Sequence, residues 1–339
     1  MNETLTNQTI SASATTTTAT TSNMIDVELI VTGSVYGLTF LIGTVGNSLI
    51  VYSVVQFRRM KSLSNVFLAN LATADLILII FCIPVKFTQL FSYTWTFGGF
   101  LCKFVHYIQN LSAICSVYTL TAMSIERYYA IMYPVECRYV CTMSQTKRII
   151  ASTWLGSIIL ATPVIWVQIL FEVGENDTKG YWCVRDWSNQ IVWRCYEIYM
   201  LAIILIIPLM IMTYSYAHIC NKLWSAINNR VSVLPLSTQP VVYIEASANK
   251  MSQVIKMLIV VVVVFVLCWT PILVINLLTA FQLMPSLNYG YIKAIKTAFH
   301  LFSYANSCVN PIIYGFMSRN FRASFKAALF NCFSRIFLK

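Results

Sequence analysis

The chain has 339 residues, of which 58% are apolar or aromatic and only 10% are charged, with a formal net charge of +11. Soluble domains carry about 25% charged residues, so this composition excludes an ordinary cytosolic protein, and it also excludes a disordered chain. What remains is an integral membrane protein.

Seven segments are long and apolar enough for a membrane helix, which needs about 20 consecutive, mostly apolar residues. Six of them contain no Lys, Arg, Asp or Glu, and the seventh, between Lys61 and Lys86, contains the single acid Asp75. None shows the strict alternation of a barrel strand. The sequence therefore predicts an all-α integral membrane fold, a bundle of seven transmembrane helices followed by a short amphipathic eighth helix. The six charge-free segments are 29–57, 104–125, 149–171, 198–221, 257–292 and 297–318.

Basic residues fall unevenly on the two sides of such a bundle. Sixteen of the 23 Lys and Arg residues lie on the side of the C-terminus and seven on the other. Because loops rich in Lys and Arg stay in the cytoplasm, we expect a multi-pass plasma-membrane protein with its N-terminus outside. The tail at 1–28 is then extracellular, the bundle occupies 29–316, and 317–339 form a cytoplasmic helix and tail. The positive charge indicates topology and contact with anionic inner-leaflet lipid, not nucleic acid.

Glycosylation sequons are distributed in the same way. Asn2, Asn7 and Asn176 each begin an Asn-X-Ser/Thr sequon in a segment predicted to lie outside, so we expect glycans there. A fourth sequon begins at Asn110, but it lies within the third span, where no glycan can be attached.

Polar residues inside the spans predict a functional centre, because ionisable groups in a bilayer are costly. Asp75 lies deep in the second span, and Asn306 and Asn310 share a face of the seventh because they are four residues apart. Ser116 and Ser307 lie at similar depth. One acid with several amide and hydroxyl groups is a donor set for Na⁺, a cation that prefers hard oxygen ligands. The alternative is a hydrogen-bonded packing network without an ion.

The third span connects the two membrane surfaces. Cys102 and Arg127 are 25 residues apart, or ~37 Å along a helix, so one lies at each surface. Gln109 and Arg127 are separated by five helical turns and point the same way, with Ser116 near the stripe between them. A polar stripe from one surface to the other is the geometry of a transducer. Prolines within the spans are expected to act as hinges or as static kinks; they are Pro84, Pro163, Pro208, Pro271 and Pro311.

Taken in order along the chain, these residues resemble the rhodopsin-like (class A) G-protein-coupled receptors over about residues 29–331. Each motif alone is weak, but one lies in each span in the family's order. The motifs are Gly46-Asn47, Leu71-Ala72-Thr73-Ala74-Asp75, Trp95-Thr96-Phe97-Gly98 before Cys102, Glu126-Arg127-Tyr128, Trp154, Pro208 with Tyr216, Cys268-Trp269-Thr270-Pro271, and Asn310-Pro311-Ile312-Ile313-Tyr314.

The resemblance assigns a role to each member of a switch. It implies that Glu126 pairs with Arg127 in the resting state, and that release of Arg127 opens a cleft for a heterotrimeric G protein. Tyr216 and Tyr314 would support the open form. The remaining members are Trp269 with Pro271, which would form the packing switch below the ligand, and Asn310 with Pro311. The resemblance also identifies Asp75, Ser116, Asn306, Ser307 and Asn310 as a sodium pocket.

One departure from the family concerns the inner end of span six. Lys250-Met251-Ser252 offers no acid to hold Arg127, so the resting state is expected to be less firmly locked.

Two further features follow from the resemblance and from the chain's last segment. The family joins the third span to the second outer loop by a disulfide, which here would be Cys102–Cys183.

Beyond span seven, a basic amphipathic stretch is expected to lie on lipid of the inner leaflet, and Cys332 after it is a candidate for palmitoylation. The tail has few hydroxyl groups, so we expect only weak binding of arrestin.

Amide-rich side chains are expected to line the outer cavity. Gln109, Asn276 and His300 would face it, and Lys296 and Tyr304 share a helical stripe with His300. This trio resembles receptors for C-terminally amidated neuropeptides, of the neuropeptide Y, orexin and RFamide-peptide groups. A primary amide needs both donors and acceptors, which Gln and Asn supply.

Charged residues at the outer rim extend this interpretation. We expect the acids to contact a peptide arginine and the bases to contact peptide acids. The acids are Glu197, Asp186 and Glu172, and the bases are Lys86, Arg185 and Arg194. The sequence thus predicts a neuropeptide receptor that couples to G proteins and is not an enzyme, with no cofactor other than an allosteric Na⁺. A class A receptor for a small lipid-like or other non-peptide ligand is the alternative. A channel or transporter is a distant one, since it needs a continuous polar pathway.

Overall fold

The computed structural model describes residues 2–92, 94–174, 179–231, 240–285 and 290–337, with side chains described at 29–92, 94–174, 179–222, 224–225, 253–285 and 292–328. Asn176 lies outside the described residues. The side chains of Asn2, Asn7, Cys332 and of residues 250–252 also lie outside them, so the glycosylation, palmitoylation and span-six expectations stay predictions.

Eleven α-helices, a short 3₁₀ helix (Arg58–Met60), a π-helical turn and one two-stranded sheet make up the described part of the chain. The antiparallel strands β1 and β2 pair Gln168 with Arg185 and Val173 with Gly180. The elements are α1 (Asn2–Gln56), α2 (Leu63–Gln89), α3 (Gly98–Met132), α4 (Pro134–Val140), α5 (Met143–Ala161), α6 (Val164–Val167), β1 (Gln168–Val173), β2 (Gly180–Arg185), α7 (Gln190–Leu201), a π-helical turn (Ala202–Ile206), α8 (Ile207–Val231), α9 (Pro240–Ala280), α10 (Gly290–Met317) and α11 (Arg319–Phe337).

Within the described ranges, five helical segments are long and apolar enough to cross a membrane. The two further spans that the sequence predicts correspond to α3 and α10, which carry more polar residues. In α3 these polar residues, among them Gln109, Asn110 and Ser116, are buried, because α3 contacts α2, α5, α8 and α9 at the centre of the bundle. The five segments are Leu29–Gln56, Leu63–Gln89, Met143–Val167, Gln190–Lys222 and Gln253–Ala280.

Several predicted span boundaries differ from the structure. Helix α1 already begins at Asn2 and not at 29, and α3 spans Gly98–Met132 and not 104–125. Two further differences concern the fourth and fifth spans. The fourth span ends at Val167, where strand β1 begins, and not at 171. The fifth begins at Gln190 and not at 198, so that Glu197 lies within a helix. The first turns of α7 bury Trp193, Tyr196, Glu197 and Met200 on one stripe. The predicted span begins only after Glu197, because the prediction ends each span at a charged residue. Glu197 nevertheless faces the protein interior, so the helix continues through it.

Helix α1 packs closely on α10 at Pro311. A Cβ atom added to Gly46 would lie 2.6 Å from the Pro311 Cβ, which is too close for any residue larger than glycine without movement. Pro311 has no N–H to donate to the carbonyl of Ser307, four residues earlier. Asn47 donates to that carbonyl instead, at 2.8 Å. The Gly46-Asn47 motif therefore both permits the contact and satisfies the backbone group that the proline leaves free.

A second amide joins three helices. Asn70 of α2 donates to the Thr119 hydroxyl of α3 at 2.8 Å and accepts from the Trp154 indole of α5 at 2.8 Å. These contacts use both ends of the buried amide, so it can lie in the apolar interior without an unsatisfied group. They also explain the position of Trp154 in the sequence pattern.

We predict that Gly46→Ala destabilises the fold by about 1–3 kcal/mol, because the new methyl group overpacks against the rigid Pro311 ring. Thermal unfolding of the purified protein in detergent measures the effect. Gly37→Ala, in the same helix, is the matched control, because a Cβ at Gly37 meets nothing within 4 Å. Equal melting temperatures for the two variants would contradict the close packing of α1 on α10.

Candidate functional site

A β-hairpin covers one end of the bundle, which we call the cavity end. Strands β1 and β2 form this hairpin, and the disulfide Cys102–Cys183 joins it to α3, as predicted. The Trp95 backbone N–H donates to the Tyr181 carbonyl of β2 at 2.7 Å, which attaches the hairpin to the loop before α3. The hairpin is thereby fixed at two points over the space between the helices.

Beneath the hairpin lies a cavity of about 610 Å³. Six of the seven side chains predicted to bind ligand line it, although they come from five different segments of the chain: Lys86, Gln109, Glu197, Asn276, Lys296 and His300. Trp269, the predicted packing switch, also lines the cavity and stacks on Phe265 with ring centroids 6.0 Å apart.

Tyr304 lies behind the cavity wall and does not line it. The side chain is 1% exposed, and its hydroxyl donates to the Gln109 Oε1 at 3.1 Å. Tyr304 lies one helical turn after His300 on the same face of α10, below the floor of the cavity. Tyr304 therefore orients the Gln109 amide: with the oxygen engaged, the Gln109 NH₂ group is left to meet a ligand.

Asn276 and His300 have uncommitted polar groups. The His300 Nδ1 is buried without a hydrogen-bond partner among the described residues. Asn276 is half-buried, and no described residue hydrogen-bonds its side-chain amide. Together with the Gln109 NH₂ group, these side chains offer both donors and acceptors to a polar ligand group.

Glu197 is not free to contact a peptide arginine, as the sequence had suggested. Its side chain is buried and pairs with Arg185 of β2 at 3.1 Å, and the Trp193 indole donates to the same oxygen at 3.3 Å. The Arg185 guanidinium also donates to Gln168 at 2.7 Å. This ion pair is a further attachment of the hairpin, here to α7.

Arg185 is held in its charged form. Burial on its own lowers the pKa of the guanidinium, but Tyr196 and Glu197 outweigh that effect and raise the pKa above its ordinary value. The guanidinium carbon lies 4.8 Å from the centre of the Tyr196 ring, a cation–π contact. No local sequence pattern indicates this pairing, because Arg185 and Glu197 belong to different elements.

Asn110 lies next to this group. Its side chain is buried in α3 and donates to the Tyr196 hydroxyl at 2.6 Å. The sequon at Asn110 therefore supplies a packing amide within the bundle, in agreement with the expectation that it carries no glycan.

The middle of the bundle contains the predicted polar centre. The buried Asp75 carboxylate accepts from Ser307 at 2.7 Å and from Asn310 at 2.8 Å. The oxygens of Ser116, Asn306 and Asn310 are buried without a hydrogen-bond partner among the described residues. One carboxylate beside uncommitted neutral oxygens fits a hard monovalent cation. No group of three His, Cys, Asp or Glu in the described part of the chain forms a transition-metal site.

Two of the predicted switch residues, Glu126 and Arg127, pair at the opposite end of α3, which we call the arginine end. Arg127 pairs with both carboxylate oxygens of Glu126, each at 2.7 Å. Its guanidinium also donates to the Ser64 hydroxyl of α2, a contact that no sequence motif indicated. The hydroxyls of Tyr216 and Tyr314 are buried without a partner in the described residues. This is the arrangement that the resemblance implies for the resting state.

Helix α11 is attached to the bundle at the arginine end. Phe321 is buried and lies 5.8 Å from the Tyr314 ring, centre to centre. Arg59, beyond the end of α1, donates to the Ser324 hydroxyl at 3.3 Å. The apolar side of α11 thus packs on the bundle next to a predicted switch residue, while Arg319 and Arg322 remain largely available on its surface.

Comparison with known proteins identifies the family. Residues 46–314 match the family described as 7 transmembrane receptor (rhodopsin family). The chain is 34% identical over 310 residues to galanin receptor type 1 of Rattus norvegicus, covering 91% of this chain and 84% of the relative. It is 32% identical over 299 residues to a QRFP-like peptide receptor of Branchiostoma floridae (87% and 76%), and 29% identical over 300 residues to the pyroglutamylated RF-amide peptide receptor of Rattus norvegicus (87% and 69%).

These matches confirm the predicted seven-helix membrane fold and the predicted family. The family consists of signalling receptors and not of enzymes, and its members are multi-pass proteins of the plasma membrane. The chain belongs to the rhodopsin family of G-protein-coupled receptors.

Proposed function

We propose that the chain is a receptor for an extracellular neuropeptide with an amidated C-terminus, and that it signals through heterotrimeric G proteins. The observation that carries the proposal is the convergence of Gln109, Asn276 and His300, all with uncommitted polar groups, in one cavity beneath the hairpin. The relatives named above, which are called galanin, QRFP-like and RF-amide peptide receptors, support a peptide as ligand.

The cavity chemistry suits a neutral primary amide. The Gln109 NH₂ group donates to the amide oxygen of the peptide terminus, because Tyr304 already occupies the Gln109 oxygen. The amide NH₂ of the peptide donates in turn to the Asn276 oxygen. A free terminal carboxylate lacks that donor and leaves the acceptor in the cavity unsatisfied, which costs binding free energy.

The cavity end is extracellular and the arginine end cytoplasmic in this proposal, as the distribution of Lys and Arg supports. Peptide contact with Trp269 at the cavity floor shifts the bundle toward an open form. Opening separates Arg127 from Glu126, and the hydroxyls of Tyr216 and Tyr314 then gain partners. The cleft that forms binds the G protein.

Further partners belong to the proposal at the cytoplasmic side. The basic residues of α11 contact anionic lipid of the inner leaflet, and palmitate on Cys332 strengthens that attachment. Arrestin is the other cytoplasmic partner in this proposal.

We also propose that Asp75, Ser116, Asn306, Ser307 and Asn310 hold a sodium ion. The buried carboxylate supplies the charge, and the unpartnered oxygens of Ser116, Asn306 and Asn310 supply neutral ligands. An ion here compensates the Asp75 charge within the bilayer, where an uncompensated carboxylate is costly. The ion favours the form of the bundle in which these groups lie together.

The amide proposal predicts a preference for amidated peptides. In cells that express the receptor, neuropeptides tested as matched amide and free-acid pairs should mobilise calcium or change cyclic-nucleotide levels more potently as amides. We expect Gln109→Ala to weaken the amide by roughly 5- to 100-fold, the effect of a buried hydrogen bond worth 1–3 kcal/mol. Gln56→Ala, at an exposed position far from the cavity, is the control. Equal potency of the two peptide forms would exclude the amide site but retain a peptide receptor, and silence of a surface-expressed receptor would favour a small non-peptide ligand.

The ion pair at the arginine end predicts the level of basal activity. Glu126→Gln removes the charge that holds Arg127, which should weaken the resting state by about 0.5–1.5 kcal/mol and raise basal activity roughly 2- to 10-fold. Ligand-free nucleotide exchange on an added G protein measures this. Glu136→Gln neutralises an exposed acid of α4 on the same side of the bundle and serves as the control. Unchanged exchange in Glu126→Gln would rule out a restraining role for the pair.

The sodium proposal predicts ion-specific stability. Na⁺ at ten times its Kd should stabilise the ligand-free protein by about 1.4 kcal/mol, so the melting temperature should be higher in sodium chloride than in choline chloride of equal concentration. Asp75→Asn should abolish the difference, while Asp186→Asn in the loop after β2 should retain it. A wild-type protein that melts at the same temperature in both salts does not hold the ion.

A further inference from the structure

The cavity carries an excess of positive charge. Among the described residues that line it there are four basic side chains, Lys86, Arg185, Lys293 and Lys296, but a single acid, Glu197. Lys86 and Arg185 line this cavity together with His106 and His300. The four basic side chains therefore leave a net positive charge around the space that a ligand would occupy.

The one acid is already neutralised. Glu197 is buried and its carboxylate is bound by Arg185 and by the Trp193 indole. Arg185 also binds Gln168 and the Tyr196 ring. The charges of Arg185 and Glu197 are therefore both engaged in contacts within the protein, and these contacts attach the hairpin to α7. Neither is available to a ligand unless that attachment breaks.

Lys86, like Lys293 and Lys296, has no acidic partner among the described residues. It is half-buried in the last turns of α2, and no described residue pairs with it or hydrogen-bonds to it. Lys296, on α10, donates to the Pro285 carbonyl at 3.2 Å and has no acidic partner among the described side chains. His300 lies one helical turn below Lys296 on the same stripe.

A bound peptide fills the cavity and removes water from Lys86. Loss of water around an unpaired ammonium group is costly, and a negative group of the ligand in hydrogen-bond contact compensates that cost. A peptide arginine at the same place adds a further positive charge. The cavity therefore discriminates against a cationic end and in favour of an anionic one.

We propose that the agonist carries a carboxylate that binds Lys86 in this cavity, on the side of Lys296. The inference rests on the proposed peptide-receptor function and specifies its ligand. With an amidated terminus, the carboxylate is that of an Asp or Glu side chain close to the amide. The terminal carboxylate of a non-amidated peptide is the other source of the same chemistry.

The test uses the most potent peptide from the amide and free-acid comparison, in forms that differ at one group. Its acidic residue is changed to Asn or Gln in one form and to Lys in another, and each form is made with an amidated and with a free terminus. The receptors are wild type, Lys86→Met, which retains most of the side-chain length without the charge, and Lys86→Glu. Lys103→Glu is the control, because Lys103 lies at the same end of the bundle but not in the cavity. Surface expression is measured for all variants.

We expect loss of either partner to lower potency roughly 10- to 100-fold. On wild type, the neutral peptide should be less potent than the acidic peptide. On Lys86→Met, the acidic and neutral peptides should have similar potencies. The Lys peptide should be more potent on Lys86→Glu than on wild type. Lys103→Glu should respond as wild type does. If the terminal group is the source, Lys86→Met should instead remove the effect of the free terminus and leave the effect of the side-chain change intact.

Several outcomes overturn the inference, and only the last of them also removes the proposed function. The proposed contact between a ligand carboxylate and Lys86 is excluded if the agonist contains no acidic group. It is also excluded if wild type and both Lys86 variants respond equally to every peptide form. In both cases the protein is still a peptide receptor. Potency that falls equally in Lys86→Glu and Lys103→Glu assigns the effect to general electrostatic attraction at the rim. Silence of wild type toward all peptides removes the peptide-receptor function, and this inference with it.

Discussion

Asp75 accepts hydrogen bonds from Ser307 and Asn310, and these bonds hold helix α2 against α10 in the middle of the bundle. An isolated carboxylate at this depth of a bilayer is costly, so the charge has to be surrounded by donors or by a cation. The same part of α10 contains Pro311, whose missing N–H frees the Ser307 carbonyl for Asn47 of α1. Three helices thus meet where apolar packing alone would give no preference for one orientation over another. Since lipid tails are as apolar as the side chains, these polar contacts define which faces turn inward.

Helix α3 connects this centre to both ends of the protein. Its cavity end is held by the disulfide to the hairpin, its middle buries the Ser116 hydroxyl without a partner among the described residues, and its arginine end carries the pair of Glu126 and Arg127. Several groups along the way are buried without a partner in the described part of the chain, among them the indole of Trp269 and the hydroxyls of Tyr216 and Tyr314. Unpartnered groups of this kind store free energy that another arrangement can release. A bundle with such groups in line from cavity to arginine end is suited to two states of similar free energy.

At the cavity end, some charged side chains hold the structure together and others are available to a ligand. Arg185 and Glu197 satisfy each other and fix the hairpin to α7, whereas Lys86 remains without a counter-charge among the described residues. Gln109 shows the same division on a smaller scale, because Tyr304 takes its oxygen and leaves its nitrogen. Polar groups that already bind each other are not available to a ligand. The groups that remain available in the cavity are neutral hydrogen-bond donors and acceptors beside a positive charge. A selective ligand has to match the neutral groups and the positive charge.

The sequence by itself determined the membrane fold and the family motifs, and through the family resemblance it indicated the Cys102–Cys183 bond, the pair of Glu126 with Arg127 and six of the seven predicted side chains that line the cavity. Bilayer thickness and helical periodicity act locally along the chain, and they place Gln109 and Arg127 on one stripe without knowledge of other helices. Only the tertiary structure decided the pairing of Arg185 with Glu197, the position of Tyr304 behind Gln109, the contact of Ser64 with Arg127 and the start of the fifth span at Gln190. Each of these depends on which faces of separate segments turn toward one another. That choice is made by side-chain contacts between residues distant in sequence, which no local pattern contains.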